Sequence, residues 1–105
     1  MIIIPLADRP EILVINAFPV APENQLALIE RIRNAGDPAT IPGLLSMYLL
    51  REKNGTRVTN HMCWASREAF EAAVADDPAI GATRRAIREF TTGPVGQEAI
   101  AVKLS

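Results

Sequence analysis

The sequence predicts an α+β fold of the ferredoxin-like kind, a sandwich in the order β-α-β-β-α-β, and three observations carry that prediction. Strand and helix signals alternate in that order over 105 residues, a single-domain length. The strands are apolar on both faces, which a lone sheet with helices on one side does not require. A strand ends in "RVTNHMCWAS", residues 57–66, which holds the single histidine, cysteine and tryptophan of the chain.

Composition narrows the function classes. Apolar residues make up 49% of the chain, charged residues 22%, and the formal net charge is −1. That balance gives no electrostatic basis for binding nucleic acid or an anionic membrane surface. The apolar run "MIIIPL" is too short to span a bilayer and lacks the small-residue cleavage pattern of a secretory signal. One cysteine cannot form an internal disulfide, so a cytoplasmic setting is expected. Residues 1–105 read as one domain, with 1–10 an N-terminal extension or an added edge strand.

The elements follow in order. "EILVINAFPV", from Glu11 to Val20, is rich in β-branched residues and reads as a strand with Pro19 near its exit. "APENQLALIERIRNAG" opens a helix at Pro22 and closes it at Gly36, with Leu28, Ile29, Ile32 and Ala35 as its apolar stripe. After the breaker "DPATIPG", "LLSMYLLRE" and "TRVTNHMCW" flank "KNG" as a hairpin. Ser66 caps a helix with Ala69, Phe70, Ala73 and Val74 on one face. Asp77-Pro78 restarts the helix, which runs to about Phe90 with Ile80 and Ile87 inside. After the Gly93-Pro94 break, "QEAIAVKLS" reads as a closing strand.

Leu44, Leu45, Met47, Tyr48, Leu49 and Leu50 are apolar on both faces of their strand, as are Ile12 to Ile15. A second copy packed sheet to sheet, about 10 Å away, covers such a face, so a homodimer is expected. Within 57–64, alternation puts Asn60 and Trp64 on one face and His61 and Cys63 on the other. One His and one Cys fall short of the four ligands a zinc site takes. Side chains two apart on a strand stand roughly 7 Å from each other, too far to share a proton directly. His61 and Cys63 are therefore expected in the dimer-facing layer, with no metal site.

The hairpin turn fixes what lies across from Asn60. A two-residue Asn54-Gly55 turn pairs even positions with odd ones and leaves Tyr48 in the dimer layer. A three-residue turn with a Gly55 bulge pairs Tyr48 with Asn60, on the cavity side. In that second register the Tyr48 phenol is a proton-handling candidate. Arg84 stands four after Ile80 and three before Ile87, within the apolar stripe. It either snorkels outward or is aimed at a buried polar group or ligand.

"VTNHMCWASREAFEAAVADDP", with "FPVAPENQ" and "PGLLSMYLLREKNGTRV", resembles the antibiotic biosynthesis monooxygenase family of dimeric α/β barrels from about Glu11 to Arg88. The marks are the Asn60/Trp64 spacing, Ser66, the aromatic Phe70 six after Trp64, and Pro42-Gly43 before the hairpin. The nearest likeness is to small oxygenases that convert anthrone-like polyketide intermediates to quinones without metal, flavin or haem. That resemblance implies a pocket between sheet and helices, with Asn60, Trp64 and Arg84 as catalytic residues. It implies no cofactor, and a small aromatic substrate and dioxygen as reactants. Asn16, Tyr48, Leu50 and Phe70 complete the expected set as substrate-binding positions. Two of these depart from the family pattern: Phe70 stands where a pocket tyrosine is usual, and Leu50 where a histidine is. Asn16 resembles a first-strand asparagine of haem-degrading relatives, but the histidine those need near Val74 is missing, which disfavours haem degradation. The expected function is a cofactor-independent oxygenase; the alternative is a non-catalytic binder of an aromatic or hydrophobic ligand.

Overall fold

A computed structural model describes residues 1–93. Four strands, β1 (Ile2–Pro5), β2 (Ile12–Pro19), β3 (Leu44–Arg51) and β4 (Arg57–Trp64), form one antiparallel sheet in the order β1-β2-β4-β3. Three helices join them: α1 (Gln25–Arg33), α2 (Arg67–Asp76) and α3 (Pro78–Phe90). This is the α+β ferredoxin-like arrangement that the order of signals predicts. The closing strand expected in "QEAIAVKLS" lies outside the described residues. Ile2–Pro5 pairs with Ile12–Ile15, so the N-terminal residues add an edge strand. No helix among the described residues is long and apolar enough to cross a membrane.

Local chemistry sets the helix boundaries. The Ser66 Oγ accepts from the Ala69 N–H at 3.1 Å and starts α2. Asp77 ends α2 with extended backbone, and its Oδ1 accepts from Ala79 and Ile80 N–H at 2.9 and 3.3 Å to start α3. Pro78 fits there because the first helical turn has no use for its missing N–H. A 3-10 turn at Pro22–Asn24 leads into α1, which buries Leu28 and Ile32 as its stripe predicts, and Gln25 as well.

The β3–β4 hairpin keeps the register of the two-residue alternative, even positions pairing with odd ones, although its connection is longer. Glu52 N–H donates to the Arg57 carbonyl at 3.2 Å, and four residues, 53–56, make the connection. Gly55, at φ +81°, donates to the Glu52 carbonyl at 3.0 Å. Gln25, 3% exposed, reaches this end of the hairpin, where its Nε2 donates to the Glu52 and Arg57 carbonyls, both at 3.0 Å. At the far end Leu44 pairs with Trp64 but Ser46 pairs with Cys63, leaving Leu45 as the extra residue of a β-bulge.

This register corrects two of the expected site positions. Beyond the bulge, Leu49 lies across from Asn60, Tyr48 across from His61, and Leu50 across from Thr59. Tyr48 and Leu50 therefore sit on the face away from the helices, 66% and 51% exposed. Neither reaches the side of the sheet that holds Asn60 and Trp64.

The helix-covered face carries two apolar clusters. One joins Ile12, Val14 and Trp64 of the sheet to Phe70, Ala73 and Ile80 of the helices. The other joins Phe18 and Val58 to Leu28, Ile32, Ala86 and Ile87. The polar residues Asn16 and Asn60 fall between them along the strands.

Candidate active site

A cavity of about 590 Å³ occupies that junction, between the sheet and helices α2 and α3. The size suits a multi-ring organic ligand. Asn16, Met47, Asn60, Met62 and Trp64 line it from the sheet, Phe70, Glu71 and Val74 from α2, and Ile80, Thr83, Arg84, Ile87 and Arg88 from α3. The α3 set recurs at intervals of three and four, as one face of a helix must.

Its floor is polar and starved of partners. Asn60 is 3% exposed and Trp64 is fully buried. Residues 60, 62 and 64 share one face of β4, so Asn60 and Trp64 bracket Met62 over about 13 Å of strand. Asn16 is the cross-strand partner of Asn60, which brings their Cβ atoms to about 5 Å. The Asn16 Oδ1, the Asn60 Oδ1 and the Trp64 Nε1 are all buried, and none has a hydrogen-bond partner among the described residues. Each such group costs about 1–3 kcal/mol when left unmade. Three of them facing one cavity are the arrangement of a site that reads the oxygen functions of a ligand. The Trp64 ring stands edge-on to Phe70, with centroids 5.6 Å apart at 62°. Trp64 is therefore core on one side and cavity wall on the other.

The rim is charged. Arg84, Arg88 and Glu71 are exposed residues that border the cavity. Among the described residues, no group of three or more His, Cys, Asp or Glu side chains is placed to hold a metal ion.

Of the residues singled out in the sequence, the structure brings Asn16, Asn60, Trp64, Phe70 and Arg84 together around one cavity, and leaves Tyr48 and Leu50 outside it. Met62, Thr83 and Arg88 were missed, though alternation along β4 and the 3.6 period of α3 already point to them. Met47 faces inward only in the register with Tyr48 in the outer layer, and the sequence leaves that register open.

Comparison with known proteins gives a consistent result. A sequence model of the antibiotic biosynthesis monooxygenase family matches residues 11–85. Among solved structures, SnoaB from Streptomyces nogalater, a cofactor-independent oxygenase, is 26% identical, with a TM-score of 0.63 over 90% of this chain and 97% of SnoaB. Rv0793 from Mycobacterium tuberculosis is 21% identical, with a TM-score of 0.66 over 90% and 99% of the two chains. A conserved protein from Methanosarcina mazei shares the fold at 14% identity, TM-score 0.71, over 82% and 86%. A search of curated protein sequences gives no significant match.

Proposed function

Because the chain belongs to the antibiotic biosynthesis monooxygenase family, we propose that it is a cofactor-independent monooxygenase oxidising an electron-rich phenolic, polyketide-like aromatic to a quinone. The observation that carries this reading is the buried, unpartnered set of Asn16, Asn60 and Trp64 on the cavity floor. The likeness to a cofactor-independent oxygenase supports it.

In this reading the substrate supplies the reducing power. A phenol or enol flanking a CH2 carbon loses a proton, and the anion passes one electron to dioxygen. The resulting radical and superoxide combine into a C–O bond, the peroxide takes up the proton, and loss of water leaves a carbonyl. One substrate CH2 and one O2 become C=O and H2O. The protein's part is to exclude bulk water and to aim fixed donors at the developing oxyanion. The Trp64 N–H and the Nδ2 of the Asn60 amide are such donors, while the buried Asn60 Oδ1 can accept from a substrate hydroxyl. Arg84, at the rim, favours the deprotonated substrate by its charge. Asn16 and Phe70 hold the ring system.

The expected result is stoichiometric: with a hydroxylated anthrone under air, one O2 is consumed per quinone formed, and nothing forms under argon. Binding without oxygen uptake supports the second reading, a non-catalytic aromatic binder. One feature favours that alternative, since Phe70 has no hydroxyl and Tyr48 faces away, so the floor holds no side chain that readily exchanges a proton.

We also propose a homodimer formed through the outer sheet face and a cytoplasmic setting. That face carries Ile4, Tyr48 and Leu50, each more than a third exposed, beside Leu13, Ile15 and His61. A continuous apolar sheet face is what a second copy covers. Tyr48→Arg places a charge there, and light scattering at micromolar concentration should move from dimer to monomer mass. A parent protein of monomer mass would end the proposal. Leu49, across from Asn60, faces the other way and packs against the inner core.

A further inference from the structure

The rim and floor of the cavity differ in kind. The floor offers neutral amide and indole groups, whereas Arg84 and Arg88 place two guanidinium groups one helical turn apart at the edge. Cations at i and i+4 repel each other on a helix surface unless something between them is anionic. Among the described residues no carboxylate comes within salt-bridge distance of either. Glu71, the one carboxylate bordering the cavity, is turned to Arg67 at 3.8 Å, and Glu89, next to Arg88 in sequence, pairs with Arg31 at 2.8 Å. The lining thus keeps a positive excess where an otherwise apolar wall of Val74, Ile80 and Ile87 meets solvent.

We propose that Arg84 and Arg88 form an anion subsite, and that the ligand of this cavity is an aromatic bearing a carboxylate at the end opposite its buried oxygen functions. This rests on the aromatic-ligand reading above and adds to it a second point of recognition. Guanidinium forks match the two oxygens of a carboxylate, and two forks on one face of a helix bracket such a group. The buried floor then orients the ring that reacts, and the rim sets which end enters last. Arg88 is a specificity residue here. It lies one turn beyond Arg84 and needs no part in the chemistry.

The test uses the full chain and two probes of one shape, anthraquinone-2-carboxylate and anthraquinone-2-carboxamide. Trp64, the only tryptophan, reports binding by fluorescence quenching. The carboxylate should bind about fivefold or more tighter than the amide at low salt, the range that two exposed ion pairs supply together. Raising the salt should shrink that ratio. Arg88→Gln should bring it to within about twofold, while Arg85→Gln, the same charge change on the same helix off the cavity, should leave it intact. Equal binding of the two probes by the parent overturns the subsite while leaving the aromatic cavity standing. An Arg85→Gln effect equal to that of Arg88→Gln also overturns it, because the helix field as a whole would then be responsible. Failure of both probes to bind removes the aromatic reading and this inference together.

Discussion

An Asn60→Leu variant is expected to melt several degrees above the parent and yet to lose about a hundredfold in kcat. The two effects have one cause. The Asn60 Oδ1 is buried without a partner, and a side chain of similar size with no polar atom removes that cost of about 1–3 kcal/mol. For a domain of this length each kcal/mol moves the melting point by about 4–8 °C. The same change also removes the amide's Nδ2, a fixed donor at the place where charge develops, a loss of about 10²–10³ in rate at comparable sites. Calorimetry and oxygen uptake measured on one preparation test both halves. A variant that melts lower and turns over normally would show that the Asn60 amide serves the fold and not the reaction.

A Gly43→Ala variant is expected to lose about 2–5 kcal/mol, enough to unfold a marginal domain near 37 °C. Gly43 adopts φ +81°, where a Cβ strains the backbone, and that Cβ would collide with the Cβ of Ala69 in the first turn of α2. Its carbonyl also accepts from the Ala65 N–H at 2.8 Å, so the close approach fixes how β4 hands over to α2 just after Trp64. Adding Ala69→Gly removes the collision but not the backbone strain. The double variant should recover about half of the loss, and denaturant melts of the four proteins measure that coupling. Additive losses would show that the contact between Gly43 and Ala69 carries no strain.

Much of this molecule is legible in its sequence because local chemistry and global packing agree. Ser66 and Asp77-Pro78 mark helix starts that the structure keeps, and the alternation of Asn60, Met62 and Trp64 predicts a shared inner face. The stripe through Ile80, Arg84 and Ile87 likewise faces the cavity as its period requires. The facing of β3 was not legible. Its run from Leu44 to Leu50 is apolar on both sides, so hydrophobic alternation gives no vote, and the turn sequence allows two registers, of which the structure takes the one pairing even positions with odd. Tyr48 and Leu50 count as pocket positions on the family resemblance, which the other register would satisfy. Arg88 was passed over because a charged residue near a helix end has an ordinary explanation as a solvated group; only the cavity wall around it gives it another.

Gln25 has a consequence for that register. β3 and β4 can in principle slide between two frames, one with a smooth strand and a three-residue turn, the other with the Leu45 bulge and the four-residue turn. The first frame would bring the Tyr48 phenol over Asn60; the second sends it to the far face. Apolar residues occupy both faces of β3, so hydrophobic alternation does not choose between them. The Gln25 amide does choose, since its two bonds need the carbonyls of Glu52 and Arg57 side by side, a pairing that only the second frame supplies. A glutamine on a helix outside the cavity lining thus helps hold the register in which the Tyr48 phenol faces away from the cavity.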